Sequence, residues 1–452
     1  MDHYGIISLL PMAVVIILAL TTKRTLESFI FGSLLGFIIL EKGNFFFAWY
    51  AALQEVIAEQ VWFILLLAVF GIIIALFERS GGAIGFSNIG TKLANSRTKS
   101  LLVTFFLGVV IFVDDYLNNL AIGVSMRNVT DKFKISREFL AYVINTTGAA
   151  VCVLIPISTW GVYMTQLDEA EGLVVNGSAM SAYIQSIPYM FYPWCALICV
   201  LLTIFKVLPL YGPMKKAELR AQGGDVFPAS YHQKAEGQSA DLTANVPENP
   251  RAINFILPIM VLVAVTIING DVIVAAFACI AVCAVMYLPQ KLMKPSEFGD
   301  CIVKGVESMV FITILVLICF TLLKANERLG LANFVIETVQ PYLNPSLLPV
   351  ITFAIACFIT YATGSLWQTA AILFPIVLPL AFALGTNPFL TSAAVVSGTV
   401  FSSHVCFYVD AVIMASSATD IQTIDYAETV TPLAVIPVVL SALLYLVFGF
   451  IV

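Results

Sequence analysis

Apolar runs recur from one end of this chain to the other, and several approach the length that a bilayer's hydrocarbon core demands. Ile6–Leu20, Trp62–Phe77, Phe139–Tyr163, Ile253–Ile268, Val272–Leu288, Phe311–Leu323, Leu348–Tyr361 and Ala434–Val452 each read as a helix that crosses, or nearly crosses, about 30 Å of lipid. With 60% of its 452 residues hydrophobic and 11% charged, the chain does not read as a soluble enzyme built round a large core. The sequence predicts an all-α polytopic membrane protein of roughly 11 to 13 segments. Met1-Asp2-His3-Tyr4 lacks the basic start of a cleaved signal, so the first run is expected to stay as helix one. The net charge of −6 carries no nucleic-acid footprint, and the nine cysteines sit in or beside apolar runs, where plain buried thiols are expected.

Tyr211–Pro250 is the one long polar stretch and reads as a flexible cytoplasmic loop joining two halves. The expected organisation is N-terminal transmembrane helices over 1–43, a first repeat over 44–210, that linker over 211–250, linking helices over 251–292 and a second, inverted repeat over 293–452. Phe77-Glu78-Arg79-Ser80-Gly81 matches Asn326-Glu327-Arg328-Leu329-Gly330, and Asp114-Asp115-Tyr116-Leu117 matches Thr363-Gly364-Ser365-Leu366, at one offset. Arg127, Lys132, Lys134 and Arg137 crowd one loop and Lys206, Lys215, Lys216 and Arg220 another, which places both in the cytoplasm. Gln166–Gln185 has three acidic residues and no basic one and is expected outside. The acidic Ser416–Thr431 stretch, read as a loop, fits this scheme less well because it falls on the cytoplasmic side.

Lys92, Arg97 and Lys99 put the segment before Asp114 on the same side as the loop after Met126. Leu101–Met126 is too short for the two spans that leaving and returning would need, about 40 residues. It therefore reads as a re-entrant hairpin with Asp114–Asn119 near its tip, and the alternative is one long helix with the carboxylates at its mouth. A charge at bilayer depth costs at least a few kcal/mol and is kept where it faces a cavity, an ion path or a proton relay. Asp114 and Asp115, with Asn118 and Asn119, offer the hard oxygen ligands that suit Na⁺, Li⁺, Ca²⁺ or H⁺. Of the two carboxylates, one is expected to face the ion while the other caps backbone amides or pairs with a basic residue.

Two further polar clusters lie in apolar context. Asn145-Thr146-Thr147-Gly148 precedes Pro156-Ile157-Ser158, where Gly and Pro can break a helix and free its termini for a cation. The plain alternative is a kinked helix whose hydroxyls bond their own turn. The second half supplies Thr363, Gly364, Ser365, Trp367, Gln368 and Thr369, then Ser402, Ser403, His404 and Asp410. His404 is a candidate proton carrier, and the alternative is a structural hydrogen-bonding role. Glu55 and Glu59 read as a solvated face. No Ser-His-Asp or metalloprotease spacing is present, so the sequence predicts no enzyme and no cofactor beyond the transported ions.

Phe112-Val113-Asp114-Asp115-Tyr116, Gly123, Met126-Arg127, Asp131, Ile135-Ser136-Arg137-Glu138, Ala141-Tyr142, Pro156-Ile157-Ser158 and Trp160-Gly161 resemble the first-half signature of NhaC-type Na⁺/H⁺ antiporters. Weaker similarity includes Thr363-Gly364, Trp367, Thr369, His404 and Asp410. The resemblance implies a bacterial inner-membrane antiporter of inverted repeats with re-entrant hairpins and broken helices, exchanging Na⁺ for H⁺ by alternating access. The chain departs from the family pattern where Ser403 replaces an acidic residue, Phe407 and Asn128 each replace Pro, and Gln368 replaces Gly. The alternative function is Na⁺- or H⁺-coupled carriage of a small organic acid or amino acid. The expected partners are the lipid bilayer, Na⁺ and H⁺, that organic solute in the alternative, and a second copy in a homodimer.

Overall fold

The computed structural model describes residues 3–22, 25–228, 251–269, 271–339, 343–363, 366–407 and 409–452. The described residues are helical almost throughout and form no strand, only an isolated bridge between Val175 and Ser178. Pro295–Leu329 and Thr423–Ile451 are each long and apolar enough to cross a bilayer alone. Leu26–Glu59 also has the length and composition. It folds back at Lys42–Asn44, however, because the Trp49 indole donates to Ser33 Oγ at 3.0 Å. Arg137–Leu154 with Thr159–Ala170, bent by 41°, and Ala179–Tyr189 with Phe191–Ile204, bent by 48°, are apolar helix pairs interrupted by a short break.

Leu101–Met126 is a helical hairpin. One arm is Arg97–Val110 and the other Asp115–Lys132, joined by Ile111–Asp114. Its open ends meet, since Arg97 donates to the Lys134 carbonyl at 2.9 Å. The second half repeats this shape in Leu348–Thr363 and Leu366–Leu384, whose open ends meet through Thr386 Oγ1 and the Pro345 carbonyl at 3.2 Å. Helices begin at Arg97, Asp115, Arg137 and Thr159 in the first half and at Leu348, Leu366, Pro388 and Asp410 in the second, with one constant spacing. That spacing sets Asp115 opposite Leu366, a small shift from the pairing read in the sequence.

Caps written into the sequence set these starts. Asp114, Ser136, Ser158 and Asn387 each stand just outside a helix and accept its first free amides. Contacts between halves are reciprocal. Arg137, which opens its helix, donates to the Thr419 carbonyl at 2.9 Å, just past the helix Asp410–Ala418. Ser392, near the start of Pro388–Val405, donates to Asp168 Oδ1 at 2.8 Å, near the end of Thr159–Ala170. Tyr163 donates to the Trp367 carbonyl at 2.6 Å, and Asn119 to the Ala411 carbonyl at 3.2 Å.

Two stretches differ from the sequence reading. Ser416–Thr431 is mostly helical, with a break only at Thr419–Gln422, because Gln422 and Asp425 form a capping box that starts the last helix at once. In Tyr211–Pro250, Gly212–Gln222 is a docked helix rather than loop, while 229–250 lies outside the described residues. Glu218 on this helix is 3% exposed, accepts the Ser136 amide and hydroxyl at 2.8 Å each, and pairs with Arg97. Arg220 donates to both Glu138 oxygens at 2.7 and 2.9 Å. Three basic segments assigned to one side of the membrane thus converge at one face. Glu55 and Glu59 both hold Lys324, at 2.7 and 2.8 Å, and all nine cysteines are free thiols.

A candidate ion site between the halves

Asp114 ends the link between the arms of the first hairpin. Its Oδ1 accepts the Tyr116 and Leu117 amides at 3.0 and 3.2 Å, and its Oδ2 accepts the Thr159 hydroxyl at 3.2 Å. An N-cap carboxylate satisfies amides the helix leaves free and sits at the positive end of its dipole. Asp115 follows as the first helical residue and turns to the Trp160 indole, which donates to its Oδ1 at 3.2 Å. Both carboxylates are buried. Asp115, Asn118 and Asn119, spaced i, i+3 and i+4, share one helix face.

Hydrogen bonds fix both amides. Asn118 Nδ2 donates to the Gly108 and Ile111 carbonyls at 2.7 Å each. Asn119 Nδ2 donates to Asn145 Oδ1 at 3.3 Å and to the Ala411 carbonyl at 3.2 Å. An atom facing two carbonyl oxygens must be the amide nitrogen, so the other end of each side chain is an acceptor. Neither Asn118 Oδ1 nor Asn119 Oδ1 has a hydrogen-bond partner among the described residues, and both side chains are 0% exposed. They look at one spot: a methyl group on Gly148 would lie 3.3 Å from the first oxygen and 3.5 Å from the second. Leaving a buried acceptor unpaired costs about 1–3 kcal/mol, and a hard cation is the ligand that two such oxygens fit. Thr146 Oγ1 is also buried without a partner among the described residues.

The remaining sequence candidates divide. Asn145 bridges the halves, since its Nδ2 donates to the Ser403 carbonyl and to Tyr426 Oη at 2.8 Å each. Thr147 bonds the Val143 and Ile144 carbonyls of its own turn, and Ser403 Oγ likewise bonds Val400. For these two hydroxyls the plain packing alternative is what the geometry gives. Ser158 caps its helix at Gly161 and donates to the Cys152 carbonyl, and Ser402 donates to the Cys357 carbonyl at 3.2 Å. His404 is buried with Nδ1 at 2.9 Å from Tyr192 Oη, while its Nε2 has no partner among the described residues. Trp367 stacks on Trp160 with ring centroids 4.3 Å apart, and Thr369 is buried in the second hairpin. Gly364 and Ser365, with the side chains of Thr363, Gln368 and Asp410, lie outside the described residues.

Sequence reasoning named neither Tyr192 nor Tyr426, and it took Gly148 as a helix breaker rather than as the spot that two oxygens face. Gly148 carried a signal, because glycine inside a helix costs about 1 kcal/mol against alanine and so calls for a packing or binding reason. Tyr426 carried none, since its partner lies in the other half of the chain.

Three comparisons bear on identity. The family model described as the Na⁺/H⁺ antiporter family matches residues 151–450, about two thirds of the chain, starting just after the Asp114–Gly148 region. An uncharacterised protein of Haemophilus influenzae is 24% identical, the match covering 98% of this chain and 91% of that one. Among solved structures, MtrF of Neisseria gonorrhoeae, described as illuminating a class of antimetabolite efflux pumps, superposes with a TM-score of 0.54 at 12% identity over 91% of this chain and 86% of its own. The YdaH transporter of Alcanivorax borkumensis gives 0.54 at 13% identity over 91% and 90%. At such identities these two structures speak for the fold, that of a multi-pass membrane transporter. The family match speaks for the kind of protein: the chain is a secondary transporter, not an enzyme, and belongs to the Na⁺/H⁺ antiporter family.

Proposed function

We propose that the protein exchanges Na⁺ for H⁺ by alternating access, with Asp115, Asn118 and Asn119 as the ion-binding group. The observation that carries this reading is the convergence over Gly148 of two fully buried amide oxygens with no hydrogen-bond partner among the described residues. Asp115 supplies the charge that amides lack. A carboxylate binds Na⁺ when ionised and releases it when protonated, so one site can serve both ions in turn. Asp114, already held by two amides and a hydroxyl, is the structural partner.

The reciprocal contacts between halves support two inverted repeats with re-entrant hairpins, the arrangement in which a central site opens to either side as one unit rocks against the other. The convergence of the basic segments supports an inner-membrane protein with that face in the cytoplasm. A second reading, coupled carriage of a small organic solute, has its own observation. A cavity of about 400 Å³ lies between the long helix Pro295–Leu329 and the end of Thr159–Ala170, lined by Lys324, Glu59, Glu171 and Asn326. Asn326 is 2% exposed, and neither of its amide atoms has a partner among the described residues.

Purified protein in proteoliposomes carrying an internal pH dye decides between them. An inward Na⁺ gradient is expected to drive protons out, and a K⁺ gradient to leave the dye unchanged. Proton movement that requires an organic acid or amino acid, with no response to Na⁺ alone, would replace the first reading by the second. Gly148→Ala puts a methyl group on the spot both oxygens face. It is expected to weaken apparent Na⁺ affinity about tenfold, or about 1.4 kcal/mol, with the maximal rate largely retained. An unchanged Na⁺ dependence in this variant would place the ion elsewhere.

A further inference from the structure

A cavity of about 320 Å³ opens where the first hairpin, the end of Phe191–Ile204 and the linker helix Gly212–Gln222 meet. Its lining is two-sided in chemistry. Leu101, Phe139 and Ile204 give it an apolar floor, and Arg97, Lys206 and Lys215 ring it with positive charge. Arg97 is taken by Glu218, but neither Lys206 nor Lys215 makes an ion pair among the described residues. Lys206 is held at the rim by the backbone. It adopts the left-handed conformation, φ 61°, that ends the preceding helix, and its amide bonds the Thr203 carbonyl at 3.0 Å.

The surroundings suit a membrane surface. Phe205, Val207 and Leu219, beside the cavity, are 56%, 69% and 58% exposed, which water would penalise and acyl chains would accept. The linker helix buries Met214, Ala217 and Ala221 against the body and turns Lys215, Lys216 and Leu219 outward, so lysines and an apolar side chain share its open face. Basic residues at the cytoplasmic end of membrane helices attract anionic headgroups, by about 1 kcal/mol per residue near the surface.

We infer that this cavity is a binding site for one anionic glycerophospholipid, its phosphate between Lys206 and Lys215 and its acyl chains along Phe205, Val207 and Leu219. The site lies apart from Asp115 and stands or falls independently of the exchange reaction. Because Arg97 and Glu218 line the same cavity and also tie the base of the first hairpin to Ser136, an occupied site would hold the linker helix against that base.

Native mass spectrometry of the full chain from nanodiscs holding equal phosphatidylglycerol and phosphatidylcholine tests the inference. The parent is expected to retain phosphatidylglycerol several-fold over phosphatidylcholine. The Lys206→Gln/Lys215→Gln protein should lose that preference, while Lys216→Gln, a neighbouring charge that does not line the cavity, should keep it. Equal retention of both lipids by the parent, or an undiminished preference in the double variant, overturns the proposal. So does inorganic phosphate alone raising the melting temperature as much as phosphatidylglycerol does, since the site would then take a free anion. If the double variant yields no folded protein, the single variants carry the test, each expected to lose part of the preference.

Discussion

Asp115→Asn is expected to abolish Na⁺-driven proton movement, while Asp114→Asn keeps exchange within a few-fold of the parent. The difference rests on what each carboxylate already does. Asp114 caps a helix, and asparagine caps nearly as well, so the neutral replacement preserves the local fold. Asp115 brings the one charge on the helix face that carries the two unpartnered oxygens. A unit charge pair about 4 Å apart at an effective dielectric near 20 attracts by about 4 kcal/mol, so removing it should weaken Na⁺ binding on the order of a thousandfold. Asp114→Ala is the complementary control. It removes the cap, at about 1 kcal/mol of stability, and should lower the melting temperature more than it lowers the rate at saturating Na⁺. If well-folded Asp115→Asn still exchanges and Asp114→Asn does not, the roles are reversed and the site must be rebuilt around the cap.

The second large effect concerns folding. Val61–Ser80 and Pro295–Leu329 run antiparallel, with Arg79 3.3 Å from Glu297, and approach most closely at Gly71 and Gly305. A Cβ on Gly71 would stand 2.2 Å from the Gly305 carbonyl oxygen, and one on Gly305 would stand 2.5 Å from Ile72 Cα. Both obstacles are backbone, so no rotamer change relieves them. Within a membrane, small residues at such a crossing let dispersion and weak hydrogen bonds do what the hydrophobic effect cannot. Gly71→Val and Gly305→Val are each expected to cost at least the ~1–3 kcal/mol of an overpacked core. The readout is loss of the monodisperse peak in size-exclusion chromatography and a lower melting temperature. Parental melting curves for both would mean that the two helices are free to separate.

Much of this architecture was legible because the bilayer restricts the choices. The hairpin followed from charge placement and length alone, and the angle between neighbouring helical side chains implied that Asp114 and Asp115 would meet different partners, as they do. The break at Ile155–Ser158 was announced by Pro156. The linker helix was hidden for the opposite reason. Its buried face consists of Met214, Ala217, Glu218 and Ala221, which offers little apolar contrast, and Glu218 finds its partners Ser136 and Arg97 far away in the chain. The same limit applies to the candidate ion site. Nothing local reveals that the Asn119 amide will be spent on Asn145 and Ala411, leaving its oxygen free. Ser403 shows the same limit: its hydroxyl bonds its own turn, whereas its backbone carbonyl is what holds Asn145.

The stacked pair Trp160 and Trp367 has a practical side. Trp160 touches the proposed ion-coupling carboxylate through its indole nitrogen and the second half through its ring face, in a chain with only five tryptophans. Indole emission responds to hydrogen bonding and to nearby charge. If the proposed exchange holds, a cation arriving at Asp115 changes the first, and a shift of one half against the other changes the stacking. The pair would then serve as a built-in optical reporter of both in unlabelled protein.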